Sequence, residues 1–158
     1  MLIPFTSIQQ KFLLSLFSTY DVQRHLDLPV DYVNNHTIAA IYSYYSIPQR
    51  LSFYIYSNNQ SVGFISAALN KKHKTASLSF ALLPEFRHKG VMQSAIHEMC
   101  ILLWQQSIIR IEAQVLSENK ASLHVLQQCG FMHEGILRKN FMIENSLMDS
   151  YIMAKINE

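Results

Sequence analysis

Residues 78–92 read LSFALLPEFRHKGVM, and the apolar period changes within this segment. Proline cannot donate a hydrogen bond to a β-ladder, so the apolar run that ends at Pro84 predicts a strand over about 75–83. From Gly90 onward the apolar period becomes 3.6 residues, which predicts a helix that ends near Trp104. The apolar stripe of that helix is Met92, Ala95, Ile96, Met99, Cys100 and Leu103. The segment is therefore a strand that leads into a long helix through a basic, glycine-containing turn.

That turn, Arg87-His88-Lys89-Gly90, has the properties of an anion site. Backbone N–H groups point in one direction at a helix N-terminus, and the helix dipole adds positive potential there. The three basic side chains add to this potential, and glycine lets the backbone approach a bulky anion closely. We interpret the turn as a pyrophosphate site, while noting that one glycine and three basic residues also describe an ordinary exposed turn.

The periodicity on either side predicts a single α/β domain over residues 1–158. Asn58-Asn59 and the lysine-rich segment 70–74 supply the turns of a three-strand meander, and Gly130 suits the left-handed position that ends a helix. The predicted elements in chain order are a helix over 8–17 capped by Ser7, a helix that follows Asp31 and ends before Pro48, strands over 51–56, 61–69 and 75–83, a helix over 90–104, a strand over 109–116, a helix over 119–129, and a hairpin of strands 131–143 and 147–156. This order predicts a mixed sheet flanked by helices.

Composition argues against several classes of protein. Hydrophobic residues make up 49% and charged residues 15% of the chain, which argues against disorder. A net charge of +2 is too small for a protein that binds nucleic acid by neutralising phosphates. The sequence has no signal-peptide pattern and no apolar run of roughly 18 residues, so we expect a cytoplasmic protein without a membrane span.

Cysteine and histidine spacing predicts neither a disulfide nor a metal site. Cys100 and Cys129 lack a Cys-x-x-Cys spacing, and we interpret both as buried, reduced thiols. None of the seven histidines stands four residues from another on a predicted helix. His97 and Cys100 could share a helix face, but two ligands are too few for zinc.

Two motifs resemble the GNAT acetyltransferase superfamily. "LLPEFRHKGVM" is similar to its pyrophosphate loop, (Gln/Arg)-x-x-Gly-x-(Gly/Ala), with a strand before it and a long helix after it. "NKASLHVLQQCGF" resembles the Asn-x-x-Ser…Gly-Phe segment of the RimJ/RimL-like ribosomal-protein N-terminal acetyltransferase branch. The residues in register with that branch are Asn119, Ser122, Gly130, Phe131, Glu134, Gly135, Asp149 and Tyr151. The resemblance covers residues 61–156, and the first fifty residues match only in having two predicted helices.

The resemblance implies a mostly antiparallel sheet whose splayed central strands form an acetyl-CoA groove, and it implies a role for particular residues. The backbone of Leu82 and Leu83 would pair with the pantetheine arm as an added strand would. Asn119 would hydrogen-bond the pantetheine portion, and Ser122 would lie near the thioester sulfur. The pyrophosphate would be held by the amides of His88, Lys89, Gly90, Val91 and Met92, with Arg87 beside them.

The sequence departs from the family pattern at two positions. Met92 stands where the family has Gly or Ala, and its side chain would either crowd the phosphates or point away from them. If it crowds them, a smaller residue would bind the coenzyme at least as tightly. Leu126 stands where many relatives have a tyrosine that protonates the leaving thiolate. Ser122 is the candidate to replace that tyrosine, although a small serine in the first turn of a helix also serves packing alone.

The candidate general base is Glu112, which strand alternation places on the same face as Gln114. A glutamate that forms a salt bridge on the strand explains Glu112 equally well. Glu134 is a weaker candidate for the base. Cys129 has no activating neighbour in the sequence, so we interpret it as a core thiol rather than a nucleophile.

The predicted function is acetyl-CoA-dependent N-acetylation of a primary amine on a small molecule or peptide, by a monomer or homodimer. The substrate would contact the N-terminal helices and the last hairpin, a region with many tyrosines: Tyr42, Tyr44, Tyr45, Tyr54 and Tyr56. One alternative is a CoA-binding regulatory module without catalysis, and another is an interaction domain that binds no CoA.

Overall fold

The computed structural model describes residues 1–28 and 31–157. Three short helices near the N-terminus precede a three-strand meander, and a helix, a strand, a helix and a C-terminal hairpin then follow. The elements are β1 (Leu2–Pro4), a 3-10 turn (Ser7–Gln9), α1 (Gln10–Phe17), α2 (Tyr20–His25), α3 (Ile38–Tyr45), β2 (Arg50–Ser57), β3 (Gln60–Asn70), β4 (Thr75–Leu82), a second 3-10 turn (Pro84–Phe86), α4 (Val91–Gln105), β5 (Arg110–Leu116), α5 (Lys120–Gln128), β6 (Met132–Ile143) and β7 (Ser146–Ile156).

The strands form one seven-stranded sheet in the order β1-β2-β3-β4-β5-β7-β6. All neighbours are antiparallel except β4 and β5, which pair in parallel. The predicted mixed α/β fold with a mostly antiparallel sheet is confirmed. None of the helices in the described ranges is long and apolar enough to cross a membrane.

Each face of the sheet is covered by a separate apolar core. On one face, α4 and α5 bury the predicted stripe, including Ile96, Met99 and Leu103, against the sheet. On the other face, α1 and α3 pack Phe17, Ile41 and other side chains around strand residues such as Phe64. The sheet is therefore the rigid middle layer from which the loops at its edge project.

The N-terminal region differs from the sequence prediction. Ser7 lies inside a 3-10 turn and does not cap α1, and Ile8 is 89% exposed. The pattern gave no indication of β1, which has three residues and exists because it pairs with β2. The sequence pattern also gave no indication of α2, a six-residue helix in which only Val22 is buried.

Candidate active site

The central feature of the sheet is a gap between β4 and β5. The two strands pair only from Thr75 to Ser77 on β4 and from Arg110 to Glu112 on β5, and they separate beyond those residues. β5 then stays paired with β7 as far as Leu116. The strands therefore splay, as the resemblance implied, and leave an open backbone edge on each side of the gap.

The pairing of β4 with β3 determines which backbone groups face this gap. Leu83 N–H donates to the Val62 carbonyl at 2.9 Å, and the Leu83 carbonyl accepts from Phe86 N–H at 3.0 Å. Backbone groups alternate in direction along an antiparallel strand, so those of Phe80 and Leu82 point away from β3 and into the gap. The backbone of Leu83, which we expected to pair with a ligand, already has its partners within the chain. The edge that a ligand could pair with thus ends at the Leu82 N–H, because the Leu82 carbonyl accepts from Arg87 Nε at 3.3 Å.

The loop before α4 presents a row of unbonded N–H groups. His88 and Gly90 both have left-handed backbones, with φ of 58° and 74°. Within the described residues, no acceptor lies in hydrogen-bond reach of the N–H groups of 88–93, and the first bonded amide is Ser94, which donates to the Gly90 carbonyl at 3.0 Å. Successive amides in such a conformation form a concave anion-binding nest at the helix N-terminus. We call residues 88–93 the nest.

Gly90 owes its place in the nest to its backbone angle. A Cβ atom added there would meet no atom within 4 Å, so space is not the constraint. The positive φ is the constraint, because residues other than Gly, Asn and Asp rarely adopt it.

Arg87 does not extend towards the nest. Its Nη1 donates to Asp21 Oδ2 at 2.8 Å, and its Nε donates to the Leu82 carbonyl at 3.3 Å. The hydrogen bond from Arg87 holds the pKa of Asp21 below its ordinary value. In this structure the guanidinium thus ties α2 to the end of β4, and a place for Arg87 beside a pyrophosphate stays a prediction.

Two further contacts tie α2 to the opposite side of the gap. Arg24 Nε donates to Glu118 Oε1 at 2.7 Å, in the loop between β5 and α5. Tyr20 Oη donates to Glu144 Oε1 at 2.6 Å, in the turn between β6 and β7. Hence α2 lies across the mouth of the gap and is held by side chains from both sides.

A cavity of about 520 Å³ lies beneath α2 and between the splayed strands. Asn119 and Ser122 line it from the start of α5, and Gln114 lines it from β5. Asn119 Oδ1 accepts from Ser122 N–H at 3.2 Å and so caps α5. Within the described ranges, the side-chain nitrogen Nδ2 of Asn119 has no acceptor, so it can donate to a ligand. Among the described residues, the Ser122 hydroxyl has no hydrogen-bond partner. The cavity thus brings together two of the predicted site residues.

Comparison with known proteins agrees with this geometry. Residues 12–131 match the model of the acetyltransferase (GNAT) family. The chain belongs to this family. A probable N-acetyltransferase of Bacillus subtilis (strain 168), YjcK, is 33% identical over 85 residues, which are 53% of this chain and 47% of YjcK. This GNAT chain spans about half the length of the curated relatives it matches.

Solved structures share the whole fold at lower identity. The spermidine N-acetyltransferase from Vibrio cholerae, solved with CoA and spermine, has a TM-score of 0.87 at 19% identity, over 99% of this chain and 94% of that chain. The ribosomal L7/L12 alpha-N-protein acetyltransferase RimL, solved with CoA, has a TM-score of 0.84 at 19% identity, over 99% of this chain and 98% of that chain. Both kinds of GNAT enzyme share the fold equally well, so fold similarity does not choose between their branches.

The two departures from the GNAT pattern are both core residues. Met92 is only 9% exposed and packs in the core beneath α4, so its side chain points away from the nest. Leu126 is fully buried in the same core. Ser122, one turn earlier on α5, lines the cavity, whereas Leu126 does not.

The structure argues against Glu112 as the general base. Glu112 lies at the closed end of the gap, where β4 and β5 are still paired, and it does not line the cavity. Its carboxylate accepts from Arg110 Nε at 3.1 Å, and Arg110 also forms two hydrogen bonds with Glu134. The carboxylates of Glu112 and Glu134 are thus both paired with the Arg110 guanidinium. The salt-bridge interpretation of Glu112 is therefore the one that the structure supports.

The cysteines are core residues, as predicted. Cys100 and Cys129 are both free and buried. Burial raises the pKa of the Cys100 thiol to about 11 and also raises that of Cys129. Neither thiol lines the cavity, so neither is a nucleophile for it. In the described part of the chain, no three His, Cys, Asp or Glu side chains converge as they would around a metal ion.

Sequence reasoning missed several cavity residues, most of them in the N-terminal region. Those missed are His25 at the end of α2 and Leu26 and Asp27 in the loop after it. Tyr44 and Tyr45 of α3 also line the cavity and belong to the tyrosine-rich region expected to contact the substrate. Gln114 was noted in the sequence, but its hydrogen bond to Ser150 (3.0 Å), which in turn donates to Asn140 (2.7 Å), was not foreseen. No local pattern marks these residues, because their proximity arises from tertiary contacts.

Proposed function

We propose that this chain transfers the acetyl group of acetyl-CoA to a primary amine, by direct attack of the amine on the thioester. The observation that carries the proposal is that one cavity is lined by Phe80 on the unpaired part of β4 and by Asn119 and Ser122 at the start of α5, while the nest follows the end of β4 along the chain. Family membership supports the same reaction, because the curated relatives that the chain matches are named N-acetyltransferases.

The residues present fit acetyl-CoA. Phe80 can offer its backbone N–H and C=O, and Leu82 its N–H, to the amides of an extended arm, as an edge strand does. The nest offers its amides to a diphosphate, and the free amide nitrogen of Asn119 can donate to the arm. The bound thioester would supply an activated acetyl group, and Ser122 would protonate the departing thiolate.

We further propose that the chain is of the RimJ/RimL-like type. The support is Asn119 as helix cap, Ser122 in the cavity and the Gly130-Phe131 pair after α5. Since spermidine-type structures share the fold, substrate tests require both peptide and polyamine amines. A primary amine is the common chemistry of both classes.

Two measurements test the proposal. Calorimetric titration should detect acetyl-CoA binding, and thiol release should depend on an added amine from a panel of a peptide N-terminus, spermidine, an amino sugar and an amino acid. Binding without turnover of any amine would favour the alternative, a CoA-binding regulatory module. Absence of binding would leave an interaction domain that uses the fold without the coenzyme.

A further inference from the structure

The proposed reaction needs a group that accepts a proton from the amine, and Glu112 is not in position to do so. His25, the last residue of α2, has its imidazole in the wall of the cavity that Ser122 and Asn119 also line. The His25 side chain is 26% exposed, so it faces the cavity while remaining partly shielded from solvent.

The position of the His25 ring is fixed by its neighbours. Its Nε2 lies 3.7 Å from Glu118 Oε1, and Glu118 is itself held by the 2.7 Å hydrogen bond from Arg24. Glu118 directly precedes Asn119, the cap of α5. The imidazole is therefore held next to the first turn of α5, where Ser122 lies.

Burial, rather than the charges around it, favours a neutral His25 imidazole. Burial lowers its pKa below the ordinary value of 6.5, against the opposing effect of the negative charges of Glu118 and Asp21. The positive charges of Arg24 and Arg87 lower the pKa further. At neutral pH the ring thus has a lone pair that can accept a proton.

We propose that His25 is the general base of the amine site, with Glu118 as the residue that positions it. This inference rests on the proposed acetyltransferase function. The substrate ammonium gives one proton to His25, the amine nitrogen bonds to the acetyl carbon, and the carbon–sulfur bond breaks. Ser122 gives its proton to the thiolate and regains one from solvent. The nitrogen loses its second proton to solvent, and His25 then passes the first proton to solvent. The products are the amide, the free thiol and one released proton.

Asp27 has a different role in the same cavity. It lies two residues after His25, is exposed and lines the cavity wall. An exposed carboxylate attracts the cationic substrate through its charge. Asp27→Asn should therefore raise KM for the amine, whereas loss of His25 should lower kcat.

The test compares His25→Gln with the parent and with His97→Gln, a matched control at an exposed histidine of α4 that does not line the cavity. His25→Gln should lower kcat by about 10²–10⁴-fold, with acetyl-CoA affinity and melting temperature unchanged. The parent kcat/KM should fall at acid pH with an apparent pKa below about 6.5, and that acidic limb should vanish in His25→Gln. His97→Gln should keep both the rate and the pH profile.

A second readout needs no turnover. NMR titration of the histidine ring protons should show one resonance, missing in His25→Gln, that titrates at the pKa of the kinetic limb. A His25→Gln protein with the parent rate and pH profile would overturn the base assignment alone. A difference between the pKa of the acidic limb in the rate profile and the pKa of the histidine resonance would also overturn the base assignment, even if the variant failed to fold. A parent that binds acetyl-CoA but acetylates no amine would overturn the proposed function and the base together.

Discussion

Arg87 Nη1 lies 2.8 Å from Asp21 Oδ2, so the loop after β4 is tied to the first turn of α2. The same helix reaches Glu118 through Arg24 on the other side of the gap. These two contacts place His25 and Asp27 over the cavity. The position of the amine side of the site thus depends on ion pairs between segments far apart in sequence.

Replacement of Asp21 by Asn should weaken this connection. The pair is partly exposed, so the free energy of unfolding at neutral pH should fall by no more than about 1 kcal/mol. Because Arg87 lowers the pKa of Asp21, the pair stabilises the fold above about pH 4, and this contribution is lost as pH falls through the lowered pKa. Urea unfolding of parent and variant should show a difference that shrinks towards about pH 3.

The matched control for that experiment is Glu85→Gln, an exposed acid for which the described residues provide no ion-pair partner. It should leave stability unchanged at each pH. An Asp21→Asn deficit that is as large at the lowest pH as at neutral pH would contradict the assigned role of the carboxylate charge.

Replacement of Met92 by Ala should cost stability rather than improve coenzyme binding. The side chain is buried in the core, so its truncation should lower the free energy of unfolding by about 2–5 kcal/mol. Met92→Leu conserves volume and should cost less than about 1.5 kcal/mol. Acetyl-CoA affinity, measured by calorimetry on folded protein, should match the parent in both variants. Weaker binding by a stable Met92→Leu protein would show that the side chain contributes to the site.

Replacement of Glu112 by Gln should leave turnover within a few-fold of the parent. The change removes one ion pair with Arg110 and touches no cavity residue. Steady-state kinetics with a good amine substrate decide the point. A loss of about 10²-fold or more would restore Glu112 as the base.

The comparison of Glu112 with the rest of the site shows what the sequence could predict. The apolar stripe of α4 was predictable, because it follows from local periodicity. Asn119 was expected only to bind pantetheine, and its role as the cap of α5 comes from the structure. Strand alternation correctly gave the face of Glu112, but it does not tell where along β5 the gap opens. The gap begins just beyond Glu112, so Gln114 lines the cavity and Glu112 does not.

The N-terminal part of the site could not be read from the sequence. α2 has six residues and one buried side chain, so it has no apolar period to detect. Its position depends on Asp21 and Arg24, whose partners lie 66 and 94 residues away along the chain. His25 therefore reaches the cavity through contacts that only the tertiary structure reveals.

Ser122→Ala should lower kcat while leaving coenzyme affinity almost unchanged. Loss of a general acid typically costs on the order of 10²–10⁴-fold, and a thiolate is a good leaving group, so we expect the low end of that range or less. A fall in kcat without weaker binding marks an interaction made in the transition state. Asn119→Asp is the contrasting variant: it keeps the cap oxygen but removes the amide donor, so it should weaken acetyl-CoA binding in a folded protein. Parent-like turnover by Ser122→Ala would assign the acid to water.

The most direct test of the account compares acetyl-CoA affinity in Gly90→Asp and Gly90→Asn by calorimetric titration. Both side chains tolerate the positive φ at position 90, and neither meets an atom within 4 Å at Cβ, so the two variants differ mainly in charge. The aspartate carboxylate would lie beside the unbonded amides of the nest and repel a diphosphate. We predict that Gly90→Asp weakens binding by at least about tenfold, or 1.4 kcal/mol, while Gly90→Asn stays near the parent. Equal affinity of Gly90→Asp and the parent would contradict the assignment of the coenzyme site to the nest.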